Sequence, residues 1–273
     1  MALIELQNVS KAFGSLVVLD HLDLKIEAGQ SLVVIGASGT GKSVLLKHIV
    51  GLLRPDSGEV WFDGQRVDTL ADRELMEMRK RFGFLFQMGA LFDSLNVGDN
   101  LAFPLVEHTH KKPAEIRHII AEKLELVGLP HFEKKMPGQL SGGQRKRVAL
   151  ARAITLNPEI ILYDEPTTGL DPVRSDVINQ LIVKLKNELK VTSITVTHDM
   201  ASAFKIADRI VMLHEGKIIF DGTPKEIQQT EIPIVHQFVV GEASAEELEA
   251  LGESEDIPES PEEDTERPGK ASP

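Results

Sequence analysis

The run Gly36-Ala37-Ser38-Gly39-Thr40-Gly41-Lys42-Ser43 has the form G-x-x-x-x-G-K-[ST], a spacing that closes backbone N–H groups around a polyphosphate. The glycines permit the tight backbone, Lys42 brings a positive charge to the outer phosphates, and Ser43 offers a hydroxyl to Mg2+. An acidic pair, Asp164-Glu165, ends the apolar run Ile160-Ile161-Leu162-Tyr163. On a strand, neighbouring side chains point to opposite sides, so Asp164 can serve Mg2+ while Glu165 polarises an attacking water. An isolated Asp-Glu pair is ordinarily two solvated acids; the phosphate loop in the same chain is what favours the catalytic reading. Together these residues imply binding and hydrolysis of a nucleoside triphosphate.

The elements that must carry them are legible from hydrophobic period. Ile4 to Val9, Leu22 to Ile26 and Val60 to Gly64 alternate apolar and polar, as half-exposed strands of an antiparallel layer do. Ser31 to Ile35, Ile160 to Tyr163, Ser193 to Val196 and Ile210 to Leu213 are short continuous apolar runs, the pattern of parallel strands buried on both faces. The phosphate loop therefore lies between a buried strand and a helical pattern, Val44 to Val50. From Gln87 to Pro158 the character becomes helical: Pro113 opens a helix in which Ile116, Ile119, Ile120, Leu124 and Val127 share a face, and Gly128 ends it. The expected fold is α/β, with a mostly parallel central sheet, an antiparallel layer and a helical subdomain at about 88–158 inserted into a domain spanning 1–241.

Composition narrows the class. The 273 residues contain no cysteine, so neither disulfides nor thiolate zinc sites hold the fold, and no apolar run approaches a membrane-spanning length. A soluble, cytoplasmic protein is expected. The net charge of −12 is uneven: from Glu242 onward twelve acids face only Arg267 and Lys270, leaving thirty acids and twenty-eight bases for residues 1–241. Such a chain has no basic footprint for nucleic acid. In the tail, 242–273, Ser244 and Glu247 form a capping-box pattern ahead of Ala245, Leu248 and Leu251, so a short docking helix is expected there and disorder beyond about Gly252.

Leu140-Ser141-Gly142-Gly143-Gln144 precedes a helical pattern from Arg145 to Thr155 with Val148, Ala151 and Ile154 inward. Read alone it is a glycine-rich turn capped by Ser141, able to approach an anion closely. Combined with the phosphate loop it resembles the signature of ATP-binding cassette (ABC) proteins. That resemblance covers residues 4 to about 230 and implies an ABC-type P-loop ATPase. It makes Gln87 the residue that senses Mg2+ and the γ-phosphate, Thr168 to Asp171 the D-loop, and His198 the switch histidine, where a lone histidine at a strand end is more often structural. It also sets Phe13 to stack on adenine, the alternative being a core phenylalanine. It implies that Ser141 to Gln144 act on ATP held by a second copy, so the chain must form a homodimer.

A single cassette without coiled-coil insertions is similar to the energy subunits of transporters whose permease is a separate chain. Gln87-Met88-Gly89-Ala90-Leu91-Phe92-Asp93-Ser94-Leu95, followed by Phe103-Pro104-Leu105, resembles the ATPase subunits of MCE-type lipid transporters, the Mla phospholipid systems among them. This implies an integral-membrane permease docked on Met88 to Leu95, an MCE-domain lipid-binding protein, a small STAS-domain subunit, and a place at the cytoplasmic face of the inner membrane. Phe92 is the groove candidate, while Phe82, Phe84 and Phe86 alternate as core residues do. The alternatives are another cargo (amino acid, metal chelate or lipoprotein) and a soluble cassette without a transport role.

Overall fold

The computed structural model describes residues 2–242; the capping pattern and apolar positions expected in the tail lie outside them. The chain starts with the hairpin β1 (Ile4–Phe13) and β2 (Leu16–Ile26), then β3 (Ser31–Ile35) and helix α1 (Lys42–Ile49). Strands β4 (Ser57–Phe62) and β5 (Gln65–Arg66), helix α2 (Asp72–Arg79) and β6 (Phe82–Leu85) follow. Three helices come next, α3 (Val97–His108), α4 (Pro113–Leu126) and α5 (Gly142–Ala153). The remainder is β7 (Ile160–Asp164), α6 (Pro172–Leu189), β8 (Thr192–Val196), α7 (Met200–Ile206), β9 (Arg209–His214), β10 (Lys217–Gly222), α8 (Pro224–Gln228) and α9 (Pro233–Val240).

Two sheets result. One is four-stranded and antiparallel, in the order β2-β1-β4-β5; the other is six-stranded, in the order β10-β9-β3-β8-β7-β6. In the larger sheet β9, β3, β8, β7 and β6 run parallel, and only β10 pairs antiparallel. Its inner strands β3, β7, β8 and β9 are buried almost throughout because both faces are covered. Leu32 and Val34 of β3 face a core shared with Ile4, Leu6, Leu45 and Leu46, whereas Val33 and Ile35 face one built with Leu101, Val148 and Ile182. The alternation of β1, β2 and β4 fits strands with one face on that first core and the other toward solvent.

Three local expectations are corrected. Helix α1 begins at Lys42, so Lys42 and Ser43 occupy its first turn rather than the loop ahead of it. Glu165 is not on β7: the strand ends at Asp164 and Glu165 has φ 49°, so a turn in the backbone, not strand alternation, separates the two carboxylates. Phe86 is not core. It lies beyond β6, exposed, with its ring stacked 4.1 Å from that of Phe84, while Phe82 and Phe84 are half-buried.

Candidate active site

The parallel strands order the site. Because β6, β7, β8 and β3 are neighbours pointing the same way, whatever follows each of them emerges at one edge of the sheet. The phosphate loop follows β3, Gln87 follows β6, Asp164 and Glu165 close β7, and His198 follows β8. Cross-strand bonds tie these ends together: Glu165 N donates to Val196 O at 2.9 Å and Thr197 N to Val34 O at 3.1 Å.

The loop can be built only with glycine at two positions. Gly36 has φ 147°, and a Cβ there would run into the carbonyl of Leu213; Gly41, at φ 98°, would place one 2.8 Å from Val18 O. Gly41 is the N-cap of α1 and provides no side-chain bond, which leaves first-turn N–H groups of the helix open to an anion. Thr40 Oγ1 donates to Ala37 O at 2.9 Å and fixes the bend, with Ser38 and Gly39 at its exposed tip. Lys42 is 7% exposed and its Nζ donates to Gly36 O at 2.7 Å and Ala37 O at 2.8 Å. Burial pushes the ammonium below the ordinary lysine pKa, and the carboxylates of Glu165 and Asp164 pull it back up. A buried cation curled against backbone carbonyls, beside uncapped helix N–H groups, suits a polyphosphate.

The acidic side is equally ordered. Ser43 Oγ donates to Asp164 Oδ1 at 3.0 Å, and burial raises the Asp164 carboxyl pKa despite that bond. Oxygens of this kind are the hard donors that Mg2+ takes. The Glu165 carboxylate accepts from Thr168 Oγ1 at 3.0 Å and pairs with His198 Nδ1 at 3.0 Å. Phe13, at the end of β1, is 48% exposed and therefore is not the core alternative. Phe13, Ser38, Gly39, Gly41, Lys42, Ser43, Gln87, Glu165 and His198 all line one cleft of about 370 Å³.

Ser141 to Gln144 are not brought to that cleft. They sit at the start of α5, where Gln144 N donates to Ser141 Oγ at 3.3 Å and Ser141 N donates to Gln144 Oε1 at 3.0 Å. Ser141, Gly143 and Gln144 instead line a separate hollow of about 140 Å³ with Arg147, Arg174 and Val177. The D-loop expected at Thr168 to Asp171 is also outside the cleft lining: Thr168, Gly169 and Leu170 border a neighbouring hollow that shares His198 with it.

Sequence reasoning missed two cations on α5, Lys146 buried and Arg152 half-buried. Lys146 is 7% exposed; its Nζ donates to the backbone carbonyls of Gln87 and, at 3.2 Å, Glu165. Arg152 donates to Ala90 O at 2.8 Å and Gly89 O at 3.0 Å. Lys146 was hidden in the triplet Arg145-Lys146-Arg147, which reads as solvated charge. The signal available was its helical row, Gly143, Lys146, Ala149 and Leu150, all buried.

Residues 19–168 match the ABC transporter family. Over 241 residues the chain is 46% identical to the intermembrane phospholipid transport system ATP-binding protein MlaF of Haemophilus influenzae, a match spanning 88% of this chain and 91% of that one. It is 47% identical over 238 residues to a probable ribonucleotide transport ATP-binding protein, mkl, of Mycobacterium leprae, spanning 87% of this chain and 69% of that one. Among solved structures, the dimeric post-hydrolysis state of the ATP-binding cassette MJ0796 bound to ADP and Pi superposes with a TM-score of 0.75 at 36% identity, over 81% of this chain and 98% of that one. The cassette cbiO1 of Clostridium perfringens, part of the transporter complex cbiONQ, gives 0.78 at 29% identity, over 92% and 99%. With its phosphate loop, acidic pair and signature helix in place, the chain belongs to the ABC transporter family and is an ATP-binding, ATP-hydrolysing cassette of it.

Proposed function

We propose that this cassette, residues 1–241 with the helical subdomain at about 88–158, drives phospholipid movement through a separate membrane permease. ATP is held by the phosphate loop, with Lys42 exchanging the carbonyls of Gly36 and Ala37 for the outer phosphates and Phe13 stacking on adenine. Ser43, Asp164 and Gln87 are the oxygen donors that would hold Mg2+, which, when bound, neutralises phosphate charge. Glu165 is the general base: it takes a proton from water while the water oxygen bonds to the γ-phosphorus and the bond to the bridging oxygen breaks, leaving ADP and phosphate. Thr168 and His198 orient that carboxylate. The observation that carries this reading is the Glu165 carboxylate and the Lys42 ammonium lining one cleft.

Ser141, Gly142, Gly143 and Gln144 act on ATP held by a second copy, since their own chain keeps them out of its cleft. The permease docks on Met88 to Leu95, beside the hollow of about 290 Å³ that Phe84, Phe86, Pro104 and His108 help to line. Among the described residues no helix is long and apolar enough to cross a membrane, which fits attachment to the cytoplasmic face of the inner membrane through that permease. An MCE-domain lipid-binding protein and a small STAS-domain subunit complete the assembly. The phospholipid cargo follows the naming of the Haemophilus relative, and the mycobacterial relative's name supports a second reading, a nucleotide cargo. Purifying the chain with its permease from detergent-solubilised membranes and identifying bound small molecules by mass spectrometry decides. Retained phospholipid depleted by ATP turnover is expected; a nucleotide cargo that depletes in its place overturns the lipid reading.

A further inference from the structure

The signature helix α5 grips the segment after β6 through its own side chains. Lys146 donates to Gln87 O, Arg152 to Gly89 O and Ala90 O, and between them Gly89 lies so close to the helix that a Cβ on it would come 3.3 Å from the Ala149 methyl. Three carbonyls in four residues thus end on one face of one helix. Lys146 reaches further, to the carbonyl of Glu165 at 3.2 Å. No carboxylate lies within salt-bridge distance of Lys146 among the described residues, and its ammonium is almost wholly removed from water. A buried ammonium is costly unless its donors are satisfied, so its position is set by the two backbone carbonyls it holds.

We propose that Lys146 is a positioning residue that locks Gln87 and Glu165 to the signature helix, so that the helix presenting Ser141 to a second copy also sets the hydrolytic geometry of its own protomer. Both gripped residues lead with their backbones: Gln87 follows a strand end, and Glu165 stands on a turn with φ 49° whose carboxylate must meet the water. A shift of α5 therefore moves the start of the segment after β6 and the root of the general base together. Nucleotide affinity rests elsewhere, on the phosphate loop and Phe13, so loss of Lys146 should appear in turnover and not in binding.

This rests on the reading that Glu165 and Gln87 act on ATP, and the test separates the two. Steady-state ATPase activity and ATP affinity are measured on the full chain for Lys146→Met, Lys146→Arg and, as control, Glu165→Gln. Lys146→Met should lower kcat by about tenfold to a hundredfold, the scale of an ångström misplacement, with affinity within about twofold of wild type. Lys146→Arg, which keeps charge and donors, should recover most of that loss. Should Lys146→Met not fold, Lys146→Gln takes its place under the same criteria. If kcat stays within about twofold, or affinity falls by the same factor as kcat, Lys146 is a structural residue only. A Glu165→Gln control that still turns over would instead overturn the site reading beneath it.

Discussion

Glu165 and Asp164 are neighbours in sequence but differ in surroundings, and the difference predicts different mutant behaviour. Glu165 faces the cleft with Thr168 and His198 on its carboxylate. Glu165→Gln keeps its shape and one acceptor oxygen but cannot take a proton, so kcat should fall by about 100- to 10,000-fold while ATP binding persists. Lys42→Ala should do the reverse and weaken binding itself, as a nucleotide titration of the two variants would show. Asp164 is the half-buried partner of Ser43, and its partial burial raises its carboxyl pKa. A carboxyl whose folded pKa is raised stabilises the fold only while protonated, and that contribution disappears as pH rises through the folded value. Asp164→Asn, which can still accept from Ser43, should therefore raise the nucleotide-free melting midpoint at pH 8. The gain should shrink toward zero as pH falls to about 4. Parallel melting curves across that range would refute the assigned burial cost.

At the scale of elements, the phosphate loop is rigid because neighbouring backbone fills the space a side chain would need. Gly36→Ala places a methyl against Leu213 O in a conformation that L residues avoid, and should cost about 3 kcal/mol, read as a lower urea midpoint at constant slope. The segment Met88 to Leu95 is held differently. Asn100, fully buried, accepts from Phe92 N at 2.8 Å and donates to the carbonyls of Phe92, Leu95 and Asn96, and Arg152 holds the preceding residues. Its backbone is thereby fixed while Met88 and Phe92 stay exposed, with Phe92 edge-on to Phe103 at 5.0 Å. Phe92→Ala or Asp93→Arg should impair assembly with the permease and leave ATP affinity of the isolated chain unchanged. An equal loss of affinity would return this segment to the nucleotide site.

These elements also show what the sequence discloses. The parallel strands were legible because burial on both faces leaves unbroken apolar runs, and the hairpin layer because burial on one face leaves alternation. Phosphate loop, acidic pair and signature were legible as fixed spacings. Glu165's turn was not, because residue type does not report a positive φ in a non-glycine residue. Nor was Phe86, since the same alternating pattern describes a strand and the first residues past its end. Lys146 and Arg152 escaped because burial of a cation depends on carbonyls that arrive from other parts of the chain.

At the scale of the whole molecule, we propose that one chain does not complete its own site. The signature start of α5 opens into its own hollow, away from the cleft that gathers the phosphate loop, Glu165 and His198. Two copies facing one another would bring each Ser141 to the other's nucleotide, and ATP would then hold the halves together. The most direct test is sedimentation of Glu165→Gln protein, which retains its nucleotide. With ATP and Mg2+ it should sediment as a dimer of the 30.1 kDa chain, and adding Ser141→Arg to the same protein should return it to monomer. A species that stays at monomer mass in saturating ATP, or a dimer indifferent to Ser141→Arg, would contradict the shared site.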